Sequence, residues 1–152
     1  MRIYIAGPMT GRPRFNFPAF DREAELLREH GYEVITPAEL DSPETRAAAM
    51  ASDNGDLTDV EHTGTWGDFL ARDVKLMADG GIDAVVVLPG WATSKGARLE
   101  TFVAYLVGIP IYVACFGHGG VEFHEVPRVS LASAWAGLPL VVESRKVHSY
   151  AN

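Results

Sequence analysis

Residues 82–89 read IDAVVVLP, an apolar run without the alternation of a strand that has one wet face. Such a run reads as a strand buried on both faces, and it needs cover on both sides. The rest of the chain supplies that cover. Residues 2–6, RIYIA, read as a short buried strand ending at Gly7-Pro8, and YEVITP (32–37) and IPIYVAC (109–115) as two more strands. Between them lie segments of helical spacing. Residues 18–30 place Phe20, Ala24 and Leu27 on one face, with Pro18 suited to a first turn and Gly31 to a stop. Residues 65–79 place Trp66, Leu70, Val74 and Met77 together, and residues 96–107 form a third helix stopped by Gly108. Strand, helix, strand, helix, strand, helix, strand is the pattern of a parallel α/β sheet with right-handed crossovers. FGHGG (116–120) reads as a glycine-rich loop, and SLASAWAGLPLVV (130–142) as a helix followed by a strand or tail. Residues 41–64 are polar and rich in small residues; they read as a mobile loop with one short helix around 43–51.

The 152 residues suit one domain spanning 1–152, and 47% hydrophobic with 22% charged residues is an ordinary globular composition. A net charge of -7 argues against a general nucleic-acid binder. It leaves room for a local cationic pocket. The single cysteine, Cys115, excludes an intrachain disulfide and reads as a buried packing residue. The apolar start MRIYIA is too short for a signal-peptide core or a membrane span, which makes the cytoplasm the expected compartment.

In a parallel sheet of this kind, ligands bind beyond the carboxyl ends of the strands, at a switch in strand order. That rule selects two loops, 7–16 and 90–100. The first begins AGPMTG, where Gly7 and Gly11 let backbone N–H groups approach a phosphate or hydroxyl. It has neither dinucleotide-binding nor Walker spacing, and a plain turn accounts for the glycines equally well. Arg12 and Arg14 beside it can grip an anion or simply be solvated. The second loop carries Ser94, Gly96 and Glu100 in S-x-G-x-x-x-E spacing. Ser94 and the N–H groups after it suit an oxygen-binding cradle, or a plain N-cap with a first-turn glutamate favoured by the helix dipole. Asp73 sits mid-helix between Leu70 and Met77, either solvated or turned into the site. The five histidines show no ligand spacing with cysteines or paired carboxylates, so no metal and no cofactor is expected. No G-x-S-x-G is present, which argues against a serine hydrolase.

MRIYIAGPMTG, FNFPAFDREAELLREHGYEVITPAEL, LARDVKLMADGGIDAVVVLPGW and TSKGARLETFVAYLVGIPI, in that order, resemble the nucleoside 2-deoxyribosyltransferase-like superfamily. The likeness covers roughly residues 1–113 and is nearest to a small bacterial and phage branch, the domain of unknown function 4406 type. The superfamily also holds nucleoside 5'-monophosphate N-glycosidases. The resemblance implies a flavodoxin-like or Rossmann-like parallel sheet of about five strands flanked by helices, in a homodimer or larger homo-oligomer. It implies a glutamate nucleophile at Glu100 and a proton-transfer aspartate at Asp73. It places substrate contacts at Gly7, Pro8, Met9, Thr10 and Gly11, at Ser94 and Gly96, and loosely at Tyr4. Monophosphate hydrolases of this group often carry an arginine within the first loop; here Thr10 stands in the middle and Arg12 follows the second glycine.

The expected activity is therefore cleavage of the base–sugar bond of a (deoxy)nucleoside 5'-monophosphate. Base exchange by a 2-deoxyribosyltransferase and nucleotide binding without turnover are the alternatives. The partner is a small nucleoside or nucleotide, not a nucleic-acid polymer or a membrane. The chemistry agrees with the assigned residues. Breaking an N-glycosidic bond builds positive charge at C1', which a carboxylate can stabilise or attack, and the leaving base needs a proton. On that scheme Glu100 starts ionised and Asp73 protonated. Arg12, Arg14, Lys95 and Arg98 bracket the two loops and are the expected grip on a 5'-phosphate.

Overall fold

The computed structural model describes residues 1–79 and 81–136. The first strand, β1 (Arg2–Ala6), leads through a turn into α1 (Phe17–Glu29), and β2 (Glu33–Ile35) follows. Two short helices, α2 (Pro37–Leu40) and α3 (Pro43–Ala51), then precede α4 (Trp66–Asp79). The chain continues through β3 (Ala84–Val87), α5 (Lys95–Leu106), the hairpin β4 (Ile111–Gly117) and β5 (Gly120–Glu125), and α6 (Arg128–Ala136). The sheet order is β2-β1-β3-β4-β5. The first four strands run parallel, with Ile3 beside Ala84 and Ala6 beside Val87, and this mostly parallel α/β sheet is Rossmann- or flavodoxin-like.

Strand parity sorts the core into two layers. Ile3, Ile5, Val86 and Leu88 face α1 with Phe17, Phe20, Ala24 and Leu27. Tyr4, Ala6, Val85 and Val87 face the other side, with Met77 of α4, Ala97 and Ala104 of α5 and Leu131 of α6. All four residues of β3 are buried, as the unbroken apolar run requires.

Three expectations need correction. The sheet is not wholly parallel: β5 runs antiparallel to β4, with Gly117 opposite Gly120, so FGHGG is the turn of a hairpin. The period-2 sequence VEFHE carried the signal, since Val121 and Phe123 pack on the core while Glu122 and His124 point to water. Cys115 is exposed, not buried. Beyond Ile111, β4 alternates in burial, and Val113 and Cys115 fall on its open face. The apolar face of α4 is not all core: Met77 is buried, but Trp66 is 43% exposed.

Residues 41–64 contain the expected helix, Pro43–Ala51, capped by Ser42, and two 3-10 turns at Leu57–Asp59 and Glu61–Thr63. The segment is stitched to the loop after β1 by Gly11 N–H to Gly55 C=O (3.0 Å) and Arg14 N–H to Ser52 C=O (2.8 Å). The expected strand or tail within 137–142 lies outside the described residues. Among the described residues, no helix is long and apolar enough to cross a membrane.

Candidate active site

The reversal of strand order lies between β1 and β3, where the following loops part. A crevice of about 690 Å³, counting its open mouth, fills the gap. Gly7, Met9 and Thr10 line it from the first loop, Ser94, Gly96 and Ala97 from the start of α5, and Asp73 and Glu100 from the two helices behind.

Each carboxyl group arrives there for a local reason. Ser94 caps α5 by accepting the Ala97 N–H (3.3 Å), which sets the helix start. Glu100 is the sixth residue of that helix, beyond the first turn, so the dipole-favoured cap position does not account for it. It faces the sheet and is 5% exposed. Tyr4 is an even-numbered β1 residue on the α4–α5 side, and its hydroxyl donates to Glu100 Oε1 at 2.8 Å. Asp73, also 5% exposed, accepts from Arg72 Nε at 2.8 Å. Arg72 in turn donates through Nη1 to Asp41 Oδ1 (2.6 Å) and through Nη2 to the Pro37 carbonyl (3.3 Å).

The electrostatics follow from burial. Loss of water pushes the Glu100 carboxyl up to about 8; the charge of Asp73 adds to this, and the Tyr4 hydrogen bond and Arg72 oppose it. Asp73 is also raised by burial, against the hydrogen bond and charge of Arg72. Asp41 is raised by burial, and Arg72 again pulls it down. The Tyr4 hydroxyl is pushed well up, first by burial and then by Glu100, so it acts as a donor. Burial thus favours the protonated form of both carboxyl groups, and the guanidinium hydrogen-bonded to Asp73 opposes this there.

Gly7, Met9, Thr10, Ser94 and Gly96 line the crevice with Asp73 and Glu100, as the sequence placed them. A Cβ on Gly7 would stand 2.9 Å from Leu88 Cβ, and a Cβ on Gly96 would meet nothing within 4 Å. Gly7 therefore serves close packing, and Gly96 leaves room in the crevice. Tyr4 stands behind Glu100, and Pro8, Gly11 and Arg12 lie off the lining. The Pro8 carbonyl accepts from Asn16 Nδ2 (2.9 Å), Gly11 takes φ 76°, and a terminal nitrogen of the exposed Arg12 lies beside Gly90. Arg14, Lys95 and Arg98 do not line the crevice either, so none of the four cations assigned to a 5'-phosphate is on its lining.

The sequence reading missed several lining residues. Arg72, itself paired with Asp41, holds Asp73. Phe15, Phe17, Trp66, Phe69 and Leu70 give the crevice an aromatic and apolar wall. Phe15 is held there in a run of three left-handed residues, Arg14, Phe15 and Asn16, with φ of 55°, 50° and 61°. Non-glycine residues rarely adopt that conformation, at about 1–2 kcal/mol each. No sequence signal marks it except Asn16, which tolerates it best.

A family model described as Domain of unknown function (DUF4406) matches residues 1–113, the stretch that contains every residue of the crevice. No match is found among curated proteins.

Proposed function

The chain belongs to the family of that domain of unknown function, and from this premise we propose that it is an N-glycosidase cleaving the base–sugar bond of a (deoxy)nucleoside 5'-monophosphate. The observation that carries the reading is the pair of buried carboxyl groups, Glu100 on Tyr4 and Asp73 on Arg72, in one crevice with an aromatic wall. The resemblance to nucleoside 2-deoxyribosyltransferases supports the same roles.

Between the titrations of Asp73 and Glu100, the pair holds one proton. That proton passes from Glu100 to Asp73 as positive charge grows at C1', and the freed Glu100 carboxylate attacks C1'. The C1'–N bond breaks with its electron pair going to the base, which takes the proton from Asp73. Water then attacks C1', gives a proton to Asp73 and releases the sugar from Glu100. Trp66 and Phe69 offer flat apolar surface to the base. The N–H groups opening α5, the Ser94 hydroxyl and Thr10 offer donors to the 5' end.

A second reading, base exchange on an unphosphorylated nucleoside, is favoured by the positions of Arg14, Lys95 and Arg98 off the crevice. The test is incubation with each deoxynucleoside and its 5'-monophosphate, with and without a free base, followed by chromatography. Base release from monophosphates, weakened by salt, supports the glycosidase. Exchange on nucleosides supports the transferase. Saturable binding with no release or exchange overturns both and leaves a nucleotide-binding module.

A further inference from the structure

A carboxyl group that hands a proton to a leaving base is ill placed against a permanent positive charge, which favours its ionised form. Yet Arg72 Nε donates to Asp73 Oδ1 at 2.8 Å. The other two nitrogens of the same guanidinium change what that contact means. Nη1 donates to Asp41 Oδ1 at 2.6 Å and Nη2 to the Pro37 carbonyl at 3.3 Å. The guanidinium carbon also stands 5.7 Å from the centre of the Phe69 ring. Arg72 is thus held on every nitrogen, and one charge serves two carboxyl groups.

The side chains of Asp41 and Asp73 are 6% and 7% exposed, so solvent screens neither pairing well. Asp41 comes from the turn between α2 and α3, 31 residues before Arg72, and lines the crevice with Asp73. Arg46 is a second cation acting on Asp41, while Tyr4 and Glu100 act on Asp73 and its neighbourhood from β1 and α5. Asp41 takes no part in the bond changes set out above. Resting on the reading of Asp73 as the group that protonates the base, we propose that Asp41 is a positioning residue: it shares the Arg72 charge, so that Asp73, held by Oδ1, can still carry a proton on its other oxygen. The guanidinium fixes where Asp73 stands, and Asp41 sets how tightly the proton is held. Two acids on one counter-charge retain a proton that an acid paired alone with arginine gives up.

The test follows the Asp73 carboxyl carbon against pH by ¹³C spectroscopy, identified by its loss in Asp73→Asn, together with kcat/KM for base release. Asp41→Asn leaves Arg72 to Asp73 alone. The Asp73 midpoint should fall by on the order of one pH unit. The acid limb of kcat/KM, where the Asp73–Glu100 pair takes its second proton, should move down with it. Asp41→Glu keeps the charge and should bring both back toward the parent. Arg72→Met should move the midpoint the other way, upward. Loosened packing would produce neither the opposite signs nor the recovery. Should Arg72→Met fail to fold, the two Asp41 variants decide the matter. A midpoint that stays or rises in Asp41→Asn overturns the proposal, as does a fall that Asp41→Glu does not reverse. The expected shifts in a chain that releases no base support the shared charge and overturn the N-glycosidase reading instead.

Discussion

The Tyr4 hydroxyl donates to Glu100 Oε1 at 2.8 Å, joining the first strand to the fifth helix across 96 residues of sequence. Both side chains are buried, and the bond is the contact that favours the ionised form of Glu100 most directly. Tyr4→Phe removes the donor and keeps the ring. The carboxyl should then hold its proton more tightly. The upper limb of the pH–activity profile, set near 8 by Glu100, should move up. The rate on the plateau should fall about tenfold, the worth of one buried hydrogen bond to a charged group. A profile of kcat/KM against pH for parent and variant checks both.

Stability should also report on Glu100. Its pKa is raised from 4.5 to about 8 on folding, so between these values the folded chain binds more protons than the unfolded chain. Stability from this group is complete below about pH 4.5 and is lost progressively as pH rises to about 8. Glu100→Gln cannot ionise. It should match the parent near pH 5 and exceed it by several kcal/mol near pH 8, as urea unfolding at the two pH values would measure. A parent with the same pH dependence as the variant would contradict the burial of this charge.

Gly96 gives a prediction in which stability and function part. It is helical, and a methyl group there meets no atom within 4 Å. Gly96→Ala should stabilise α5 by about 0.5–1 kcal/mol, since alanine restricts the unfolded chain and favours helix. The same methyl group projects into the crevice and should raise KM severalfold. Thermal unfolding and steady-state kinetics on one sample separate the two effects.

The fold was legible because its signals are local. The unbroken apolar run at Ala84–Val87 demanded two covered faces, and the helices between strands supplied them. Glu100, Ser94 and Gly96 were legible because the strand-end rule and the family resemblance pointed to the same loop, and Asp73 because the resemblance alone pointed to it. Asp41 and Arg72 were not, because their pairing joins residues 31 apart, and a charged residue in sequence looks the same paired or solvated. The roles of Lys95 and Arg98 failed for a geometric reason: neighbours on a helix turn to different sides, and proximity in sequence to Glu100 put Arg98 on the opposite face. The hairpin strand β5 was hidden by its charges, which are those of an edge strand with one wet face.

The role of Glu100 as nucleophile is measured by base release from the parent and from Glu100→Gln, with the intact mass of the protein taken during turnover. A nucleophilic Glu100 gives release by the parent, a transient mass increase equal to the glycosyl group, and a loss of about 10³-fold or more in Glu100→Gln with the fold retained. Base release by Glu100→Gln at a rate near the parent's would contradict it.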